Sequence, residues 1–446
     1  MRGGATSRSH LSRRQFLEVG GALTLSAMIG PRGFANGNEV DLRTVRDKTL
    51  RFIESVRVAE GPYGRYRYAA GCHAPTLYSS TYAAMTRHLY GDLASLTATQ
   101  RAEWVEYLQS HQDDDGLFRD PVIFDQGWYK GDPEWCGRRH LSCHVVTALA
   151  CLGAVAKKPL RFLDPFLEAA VRPAGPPAVS PPSGSEASPR HAAGGPARRI
   201  QAAGGLVTWL EERDWAKQPD FVGNEVLNLG TLLQYARDFQ QDERCRRAVT
   251  ELLEWMTTHH LSEATGVWGQ LDLNMPHGLS RAVMGGYHFW LLYFYDRVPI
   301  PHANRAVDLC LKTQNQRGGF GQGVHGGDPL CSSACEDIDS VDPLARLMLA
   351  SDYRRADIRA ALERGLAAVL INQAPDGGFW FLREKAFRYG HDQLASTASQ
   401  GAMFPTWFRT LTLAYLGQAL PESVVGRVDW QFCDCPGIQF WRPEPQ

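Results

Sequence analysis

The sequence predicts an all-α protein in which six helical hairpins close into an (α/α)6 barrel. The first observation is a recurring turn: a helix, often ending in glutamine, is followed by glycine and then an aromatic residue. The turn reads Asp115-Gly116-Leu117-Phe118, Thr265-Gly266-Val267-Trp268, Gly318-Gly319-Phe320 and Asp376-Gly377-Gly378-Phe379, with a degenerate copy at Gly61-Pro62-Tyr63-Gly64. Glycine supplies the positive φ that ends a helix. A spacing of roughly 50 to 60 residues is typical of a helical hairpin repeat.

The second observation is that two kinds of helical segment alternate along the chain. Inner helices should be apolar and rich in small residues, and outer helices should carry charge on one face beside a narrower apolar stripe. The inner candidates lie at about 75–90, 139–153, 221–239, 279–295, 335–350 and 404–417. The outer candidates lie at about 41–58, 97–112, 243–259, 302–316 and 354–373, with a broken element at 159–168 and 206–215. The helix at 41–58 is expected to complete the outer ring beside the last inner helix.

The N-terminus predicts an export signal. Ser12-Arg13-Arg14-Gln15-Phe16-Leu17 precedes an apolar stretch and the small-x-small pattern Gly33-Phe34-Ala35, which resembles a twin-arginine signal. Residues 1–35 are therefore assigned to a signal peptide and residues 36–446 to one toroid domain. The resemblance implies transport by the twin-arginine (Tat) translocation machinery to the periplasm or medium, without an integral membrane segment in the mature chain. An N-terminal membrane anchor is the alternative. Residues 172–199 are dominated by Pro, Ala, Gly and Ser and predict a disordered insertion.

The composition narrows the classes of partner. A formal net charge of -1 without a sustained basic run argues against a nucleic-acid partner, so we expect a small-molecule, lipid or glycan substrate. Ten cysteines are too few for a disulfide scaffold in 446 residues. Cys433 and Cys435 are too close in sequence to pair readily with each other, so a tie to Cys331 or Cys335 is expected. A four-cysteine zinc site and plain buried thiols are alternatives. No cofactor is assigned.

The densest group of chemically active residues is the run Cys335-Glu336-Asp337-Ile338-Asp339-Ser340-Val341-Asp342-Pro343, with four carboxylates in seven residues. Crowded carboxylates repel, and some then keep their protons near neutral pH, as a general acid requires. If the run is helical, Glu336 and Asp339 share one face and Asp337 points about 100° away. Alternatively, Asp342-Pro343 starts the helix as an N-cap and a first-turn proline. Catalysis, capping with a solvated rim and cation binding are the three interpretations.

The hairpins and glycine-aromatic turns resemble the toroids of terpenoid cyclases and protein prenyltransferases, over most of residues 41–420. The acidic run is similar to the Asp-x-Asp-Asp motif of class II terpenoid cyclases such as squalene-hopene cyclase. The resemblance implies that Asp339 is the proton donor, assisted by Asp337 or Glu336, with Ser340 in place of the final aspartate. Prenyltransferases carry a zinc-binding Asp-x-Cys in a comparable position. Its cysteine is absent here, which disfavours zinc-activated thiol alkylation.

Polar and aromatic residues on the inner helices indicate a lined cavity rather than a filled core. The candidate substrate-binding residues are Tyr78, Asn224, Glu225, Arg281, His288, Trp290 and Trp407. Further aromatic candidates for stabilising a carbocation are Tyr82, Tyr287, Phe404 and Phe408, with core packing as the competing interpretation. His140, Cys143 and His144 share one helical face. They suit a metal, acid-base chemistry or a buried histidine pair.

Three functions follow from these residues. The first is an acid-initiated cyclase or isomerase acting on an isoprenoid lipid. The second is a polysaccharide lyase or glycoside hydrolase of the same barrel class, with carboxylates as acid and base and with Asn224, His288 and Arg281 holding a sugar acid. The third is a non-catalytic binding toroid. An apolar pocket favours the first function, an open polar groove the second and a filled barrel the third.

Overall fold

The structure is a computed structural model that describes residues 41–124, 134–168, 205–326 and 328–442. The predicted signal peptide and the predicted insertion at 172–199 lie outside the described residues. Within them, helices dominate, and one small antiparallel sheet pairs β1 (Phe387–Arg388) with β2 (Ala395–Ser396). None of the described helices combines the length and apolar character needed to cross a bilayer.

Fourteen α-helices follow one another in the described part of the chain. They are α1 (Leu42–Ser55), α2 (Leu77–Leu89), α3 (Ala98–Gln109), α4 (Pro121–Phe124), α5 (Leu141–Cys151), α6 (Asp164–Leu167), α7 (Gly205–Glu211), α8 (Pro219–Phe239), α9 (Glu243–Thr258), α10 (Gly278–Asp296), α11 (Ala303–Lys312), α12 (Ala334–Ala350), α13 (Arg355–Leu370) and α14 (Met403–Ala419). A π-helical segment, Trp135–His140, leads directly into α5.

The inner helices form a closed ring in the order α2, α5, α8, α10, α12 and α14, and α14 packs against α2. Most side chains on these helices are buried on every face, as an inner ring requires. The outer positions are taken by α1, α3, α9, α11 and α13, with α6 and α7 packed together as the broken sixth element. The predicted (α/α)6 barrel is confirmed.

The glycine turns join outer to inner helices by a repeated set of hydrogen bonds. In three copies the glutamine side chain donates from Nε2 to the carbonyl of the turn glycine: Gln112 to Gly116 at 2.8 Å, Gln314 to Gly318 at 2.9 Å and Gln373 to Gly377 at 3.1 Å. Gly377 has a φ of +96°, and a Cβ there would lie 2.3 Å from the carbonyl oxygen of Lys48 in α1. Gln373 also donates to Val45 O of α1 at 3.0 Å. The last turn therefore fixes the first outer helix and closes the outer ring.

The chain after α14 turns back to the inner ring as a C-terminal tail, residues 428–442. Gln439 in this tail donates to Met85 O of α2 at 3.0 Å and accepts from Trp407 Nε1 of α14 at 2.7 Å. Arg346 of α12 donates to Phe440 O at 2.7 Å. Because these partners belong to three inner helices, the tail spans the ring rather than following one hairpin.

Candidate active site in the barrel

A cavity of about 190 Å³ lies inside the inner ring. All six inner helices contribute to its wall, two loops add His325 and Tyr389, and the tail adds Gly437 and Ile438. Six aromatic side chains line it: Trp135, Tyr287, Tyr389, Phe404, Trp407 and Phe408. The barrel is therefore not filled, and much of its interior surface is aromatic. An engineered cavity of about 150 Å³ accommodates benzene, so this one, about a quarter larger, suits a ligand of roughly eight carbon atoms.

Helix α12, which carries the acidic run, begins at Ala334. Ser333 is its N-cap: Glu336 N donates to Ser333 Oγ at 3.2 Å and Ser333 N donates to Glu336 Oε2 at 3.1 Å, a complete capping box. The alternative in which Asp342-Pro343 starts the helix is wrong, since both residues lie inside α12. Pro343 has no N–H to donate to the carbonyl of Asp339 one turn earlier, which loosens the helix beside that residue.

Asp339 lines the cavity from the second turn of α12. It is only 3% exposed, and its Oδ2 has no hydrogen-bond partner among the described residues. Burial raises the pKa of this carboxyl well above its ordinary value, and the nearby carboxylates of Glu336, Asp342 and Asp337 raise it further. The surroundings of Asp339 therefore favour its protonated, neutral form, and its Oδ2 makes no hydrogen bond within the described residues.

Glu336 is held away from the cavity by the loop before α12. Its Oε1 accepts from Gln322 N and Val324 N, both at 3.1 Å, and its Oε2 takes part in the capping box. Burial raises the pKa of Glu336, but hydrogen bonds from His325 and from backbone amides outweigh it and leave the pKa below its ordinary value. Glu336 is thus a fixed carboxylate that orders this loop.

Asp337 points to the other side of α12 and forms a buried ion pair with Arg409 of α14. Its Oδ1 also accepts from Phe320 N of the preceding turn at 2.8 Å. The same position recurs in other hairpins: Phe118 N donates to Ser142 Oγ at 2.8 Å, and Phe379 N donates to Thr406 Oγ1 at 2.9 Å. Asp337 therefore occupies a repeated structural position that joins a turn to the next inner helix, and it does not line the cavity.

Asp342, the fourth carboxylate, pairs with Arg346 at 2.6 Å. The Arg346 guanidinium lies over the rings of Phe294, Tyr415, Phe440 and Trp441. Burial raises the pKa of Asp342 to about 6, while Arg346 acts in the opposite direction. Of the four carboxylates, Asp339 alone lines the cavity.

A histidine pair faces the cavity: His140 ends the π-helical segment and His144 lies in α5, the helix opposite α12 in the inner ring. The Nε2 atoms of His140 and His144 are 3.4 Å apart, and His140 Nδ1 lies 2.7 Å from the Tyr78 hydroxyl. That hydroxyl donates its proton to Cys136 O at 2.7 Å, so Nδ1 of His140 carries a hydrogen and its Nε2 carries the lone pair. Burial lowers the pKa of His144 to about 3 and that of His140 well below its ordinary value. Tyr78 orients His140 from behind the wall.

His288 on α10 is a third neutral histidine of the lining. Its Nδ1–H donates to Met284 O at 2.5 Å, and its Nε2 accepts from Asn224 Nδ2 at 3.1 Å. Asn224 Oδ1 in turn accepts from Asn228 Nδ2 at 3.1 Å. Burial lowers the pKa of His288 to about 4. Asn224 and His288, both candidate binding residues, are therefore joined in one chain of hydrogen bonds on the cavity wall.

Three other candidate binding residues lie outside the lining. Glu225 accepts from Arg213 at 3.5 Å, and Arg281 forms an ion pair with Asp220 at 2.9 Å. Trp290 is completely buried in the core. Trp407 does line the cavity.

The lining residues that were absent from the sequence-based candidates include His325, Tyr389, Gly437 and Ile438. These four lie in loops and in the tail, where helical periodicity gives no indication of direction. No signal in the sequence marks them.

The cysteines are all free thiols in the structure. Cys331 donates to Asp328 Oδ2 at 3.3 Å and Cys335 lines the cavity, whereas Cys433 and Cys435 of the tail pack against α5. The expected link between the tail and residues 331–335 is therefore wrong: the structure places the tail cysteines beside α5 instead. Within residues 41–124, 134–168, 205–326 and 328–442, no three His, Cys, Asp or Glu side chains converge to hold a metal ion.

No protein family model matches the chain, and no curated protein matches it. Among solved structures, a type II terpene cyclase from Scytonema, in complex with its substrate geranylgeranyl dihydroxybenzoate, matches 85% of this chain and 98% of its own, with 14% identity and a TM-score of 0.43. A glycosidase matches 86% of this chain and 100% of its own, with 13% identity and a TM-score of 0.45. The GH76A alpha-1,6-mannanase from Salegentibacter sp. HEL1_6 matches 84% of this chain and 98% of its own, with 10% identity and a TM-score of 0.42. Because these similarities are so distant, the function has to be inferred from the chemistry of the cavity.

Proposed function

We propose that this barrel is an enzyme that protonates a carbon-carbon double bond or an epoxide of a small isoprenoid compound and guides the resulting cation to a cyclised or isomerised product. The observation that carries the proposal is Asp339, which lines an aromatic cavity, is buried in surroundings that favour its neutral form, and has an oxygen without a hydrogen-bond partner among the described residues. This is the reaction type of the class II terpenoid cyclases, which the sequence resembles.

Protonation needs an acid that still carries its proton at working pH and that stabilises the cation after giving it up. Burial and the surrounding carboxylates keep the proton on Asp339. Once the proton has moved to substrate carbon, the Asp339 carboxylate faces a carbocation across a cavity of low dielectric, where opposite charges attract strongly. The same surroundings therefore keep Asp339 protonated before the reaction and stabilise the ion pair that proton transfer forms.

The aromatic wall supports the next step. Trp407, Phe404 and Phe408 line the cavity from α14, the helix beside α12, and Tyr287 lines it from α10 on the other side of α12. A cation over an aromatic face gains about 0.5–2 kcal/mol, with the larger value in a desolvated site. Cationic carbon formed near Asp339 is therefore flanked by π faces on both sides.

The product forms when the cation loses a proton to a base. The neutral histidines His140 and His144 suit this role because they lie across the ring from Asp339 and because His140 Nε2 carries a lone pair. A substrate spanning the cavity would then meet the acid at one end and the base at the other. Solvent exchange would return the proton to Asp339 after product release.

A glycoside hydrolase mechanism fits the site less well. It requires two carboxyl groups facing the substrate, roughly 5 to 9.5 Å apart. Asp339 is the one carboxyl group in the described lining, since Asp337, Asp342 and Glu336 are engaged elsewhere. Arg281, the expected partner of a sugar acid, is already paired with Asp220.

The proposal also includes where the substrate comes from. The Arg13-Arg14 sequence supports twin-arginine export to the periplasm or medium, so the substrate would be a membrane-derived isoprenoid or a fragment of one. Asp339 is the assigned acid. The interactions of Asp337 and Glu336 support positioning roles for these two residues.

The test is turnover in heavy water. Purified mature protein is incubated with a panel of small isoprenoid alkenes, alcohols and epoxides, and products are analysed by gas chromatography and mass spectrometry. We expect a product carrying one deuterium at the carbon that Asp339 protonates, and we expect Asp339→Asn to abolish it.

Arg281→Lys is the matched control and should retain activity, since this variant keeps a cation beside Asp220 outside the cavity. Deuterated product that persists in Asp339→Asn would remove Asp339 as the acid. Cleavage of glycans by wild type, lost in Arg281→Lys, would favour polysaccharide chemistry instead.

A further inference from the structure

Three buried thiols meet where the tail packs on α5. Cys433 Sγ lies 3.8 Å from the carbonyl oxygen of Thr147, and Cys435 Sγ lies 3.9 Å from that of the residue before it. Cys151 ends α5, one turn after Thr147. All three cysteines are nearly inaccessible to solvent. They form a cluster outside the proposed acid-base chemistry.

The helix geometry makes Cys433 and Cys151 neighbours. In an α-helix the carbonyl of residue 147 accepts from the N–H of residue 151, so a sulfur beside Thr147 O lies close to Cys151. The thiols of Cys151 and Cys433 are close enough for each to shift the pKa of the other. Gln439, two residues after the cavity-lining Gly437, donates to Cys151 Sγ at 3.7 Å and holds the tail in this register.

The three thiols are not equivalent. The neighbouring thiols of Cys151 and Cys435 lower the pKa of Cys433 well below that of an ordinary thiol, while burial raises the pKa of Cys151 and Cys435. These shifts favour Cys433 as the first thiol of the cluster to ionise and to act as a nucleophile. Cys435 is a poor partner for it because a disulfide across one intervening residue is sterically constrained.

We propose that Cys151 and Cys433 are a redox pair whose disulfide fastens the tail to α5. With a low-molecular-weight disulfide such as oxidised glutathione, the Cys433 thiolate attacks one sulfur, forms a mixed disulfide and releases one glutathione thiolate. Cys151 then loses its proton to solvent and attacks the Cys433 sulfur, which forms the protein disulfide and releases the second glutathione thiolate. Two protein thiols are oxidised while one glutathione disulfide is reduced. The step requires local opening of the tail, since both thiols are buried.

The disulfide would act on the cavity through the tail residues Gly437 and Ile438, which form the floor of the cavity. Gly437 and Ile438 line the cavity and follow Cys433 within the same short segment. In the reduced protein, hydrogen bonds such as those of Gln439 hold this segment on the ring. In the oxidised protein it is also covalently attached to α5, so the floor cannot leave without reduction.

The experiment compares the full mature chain after equilibration with oxidised or reduced glutathione. Both samples are denatured, their free thiols are alkylated, and intact mass and tryptic peptides are analysed without reduction. We expect all ten thiols to be alkylated in the reduced sample and eight in the oxidised one. The oxidised sample should contain a peptide spanning 140–157, with Cys143 and Cys151, linked to the C-terminal peptide.

Fragment ions of the linked peptide in wild type assign the bond to Cys151 and Cys433 even if a variant fails to fold. Cys143→Ser and Cys435→Ser are matched controls that should keep the linked peptide, and Cys151→Ser should lose it. Trypsin also cuts after the exposed Arg427. The tail should then stay attached in the oxidised sample and separate on denaturation in the reduced one.

Ten alkylated thiols after oxidation would overturn the proposal. A bond within the C-terminal peptide, or a linked peptide that survives in Cys151→Ser, would overturn it as well. None of these outcomes depends on catalysis, so the result is independent of the proposed function.

Discussion

The ion pair between Asp337 and Arg409 gives the sharpest test of how the acidic run is divided between structure and chemistry. The Arg409 side chain is 0% exposed and that of Asp337 is 1% exposed. Asp337→Asn removes the negative charge but keeps an oxygen that can accept from Phe320 N. The substitution therefore removes the ionic interaction with Arg409 but keeps the hydrogen bond from Phe320 N.

The magnitude follows from the charge left behind. Arg409 cannot give up its proton, so it remains a buried cation whose other acceptors among the described residues are the carbonyls of Ser332 at 3.2 Å and Phe381 at 3.1 Å. Breaking one partner of a buried pair costs about 3–5 kcal/mol. Replacing both partners, as in Asp337→Asn with Arg409→Met, removes the stranded charge and should restore much of that free energy of unfolding.

The assay is urea unfolding followed by circular dichroism on wild type, the two single variants and the double variant. Asp339→Asn is the control from the same helix. Because the raised pKa of Asp339 means that the folded state disfavours its charge, this control should be more stable than wild type at neutral pH. Its advantage should shrink as the pH falls toward the pKa of an unfolded aspartic acid, about 3.9. If Asp337→Asn unfolds within about 1 kcal/mol of wild type, the structural role assigned to Asp337 is incorrect.

Three further predictions concern other parts of the site. Asp342→Ala should lower the free energy of unfolding by about 3–5 kcal/mol, because it leaves the buried Arg346 without its charge partner. A loss near 1 kcal/mol in the same unfolding assay is the value expected for a helix cap and would contradict this role. His288 has a folded pKa of about 4, below the unfolded value of about 6.5, so the unfolded chain binds a proton first as the pH falls. The free energy of unfolding should therefore decrease between those two pH values, by up to about 1.4 kcal/mol per pH unit. Unfolding measured across that range should show a smaller decline for His288→Gln, and equal slopes would contradict the assignment. Trp407→Leu should lower kcat more than it raises KM for an identified substrate, since the ring acts on the cation; a change in KM alone would show that it only binds substrate.

The architecture could be predicted because its signals are local. The Gln373 to Gly377 turn ends one helix through a hydrogen bond within a few residues, Gln373 also donates to Val45 O of α1, and Gly377 allows the backbone of Lys48 in α1 to approach closely. A repeated local signal is visible in one sequence. The same logic explains the position of Asp339, because helical periodicity alone separates its face from that of Asp337.

The start of α12 was harder to predict because two capping signals compete in one stretch. Asp342-Pro343 has the form of an N-cap and a first-turn proline, but the Ser333–Glu336 capping box provides two backbone hydrogen bonds and begins the helix earlier. Pro343 is then accommodated inside the helix without its hydrogen bond. Sequence alone does not state which signal prevails.

The floor of the cavity could not be predicted at all. Gln439 reaches Met85 O from the other end of the chain, and no periodicity connects the two positions. For the same reason the tail thiols were expected near Cys331 and Cys335, although they meet Cys151. Contacts of this kind depend on how the closed ring presents its inner surface to a segment without regular structure.

The central claim is that Asp339 is a protonated acid inside the cavity at neutral pH. Infrared difference spectroscopy of protein labelled with 13C at the aspartate carboxyl groups, compared between wild type and Asp339→Asn, measures this directly. We predict a protonated carboxyl band that is present in wild type at neutral pH, absent in Asp339→Asn, and lost only as the pH rises well beyond the usual range of an aspartic acid. A wild-type spectrum identical to that of the variant at neutral pH, with Asp339 ionising near pH 4 as in an unfolded chain, would contradict the account.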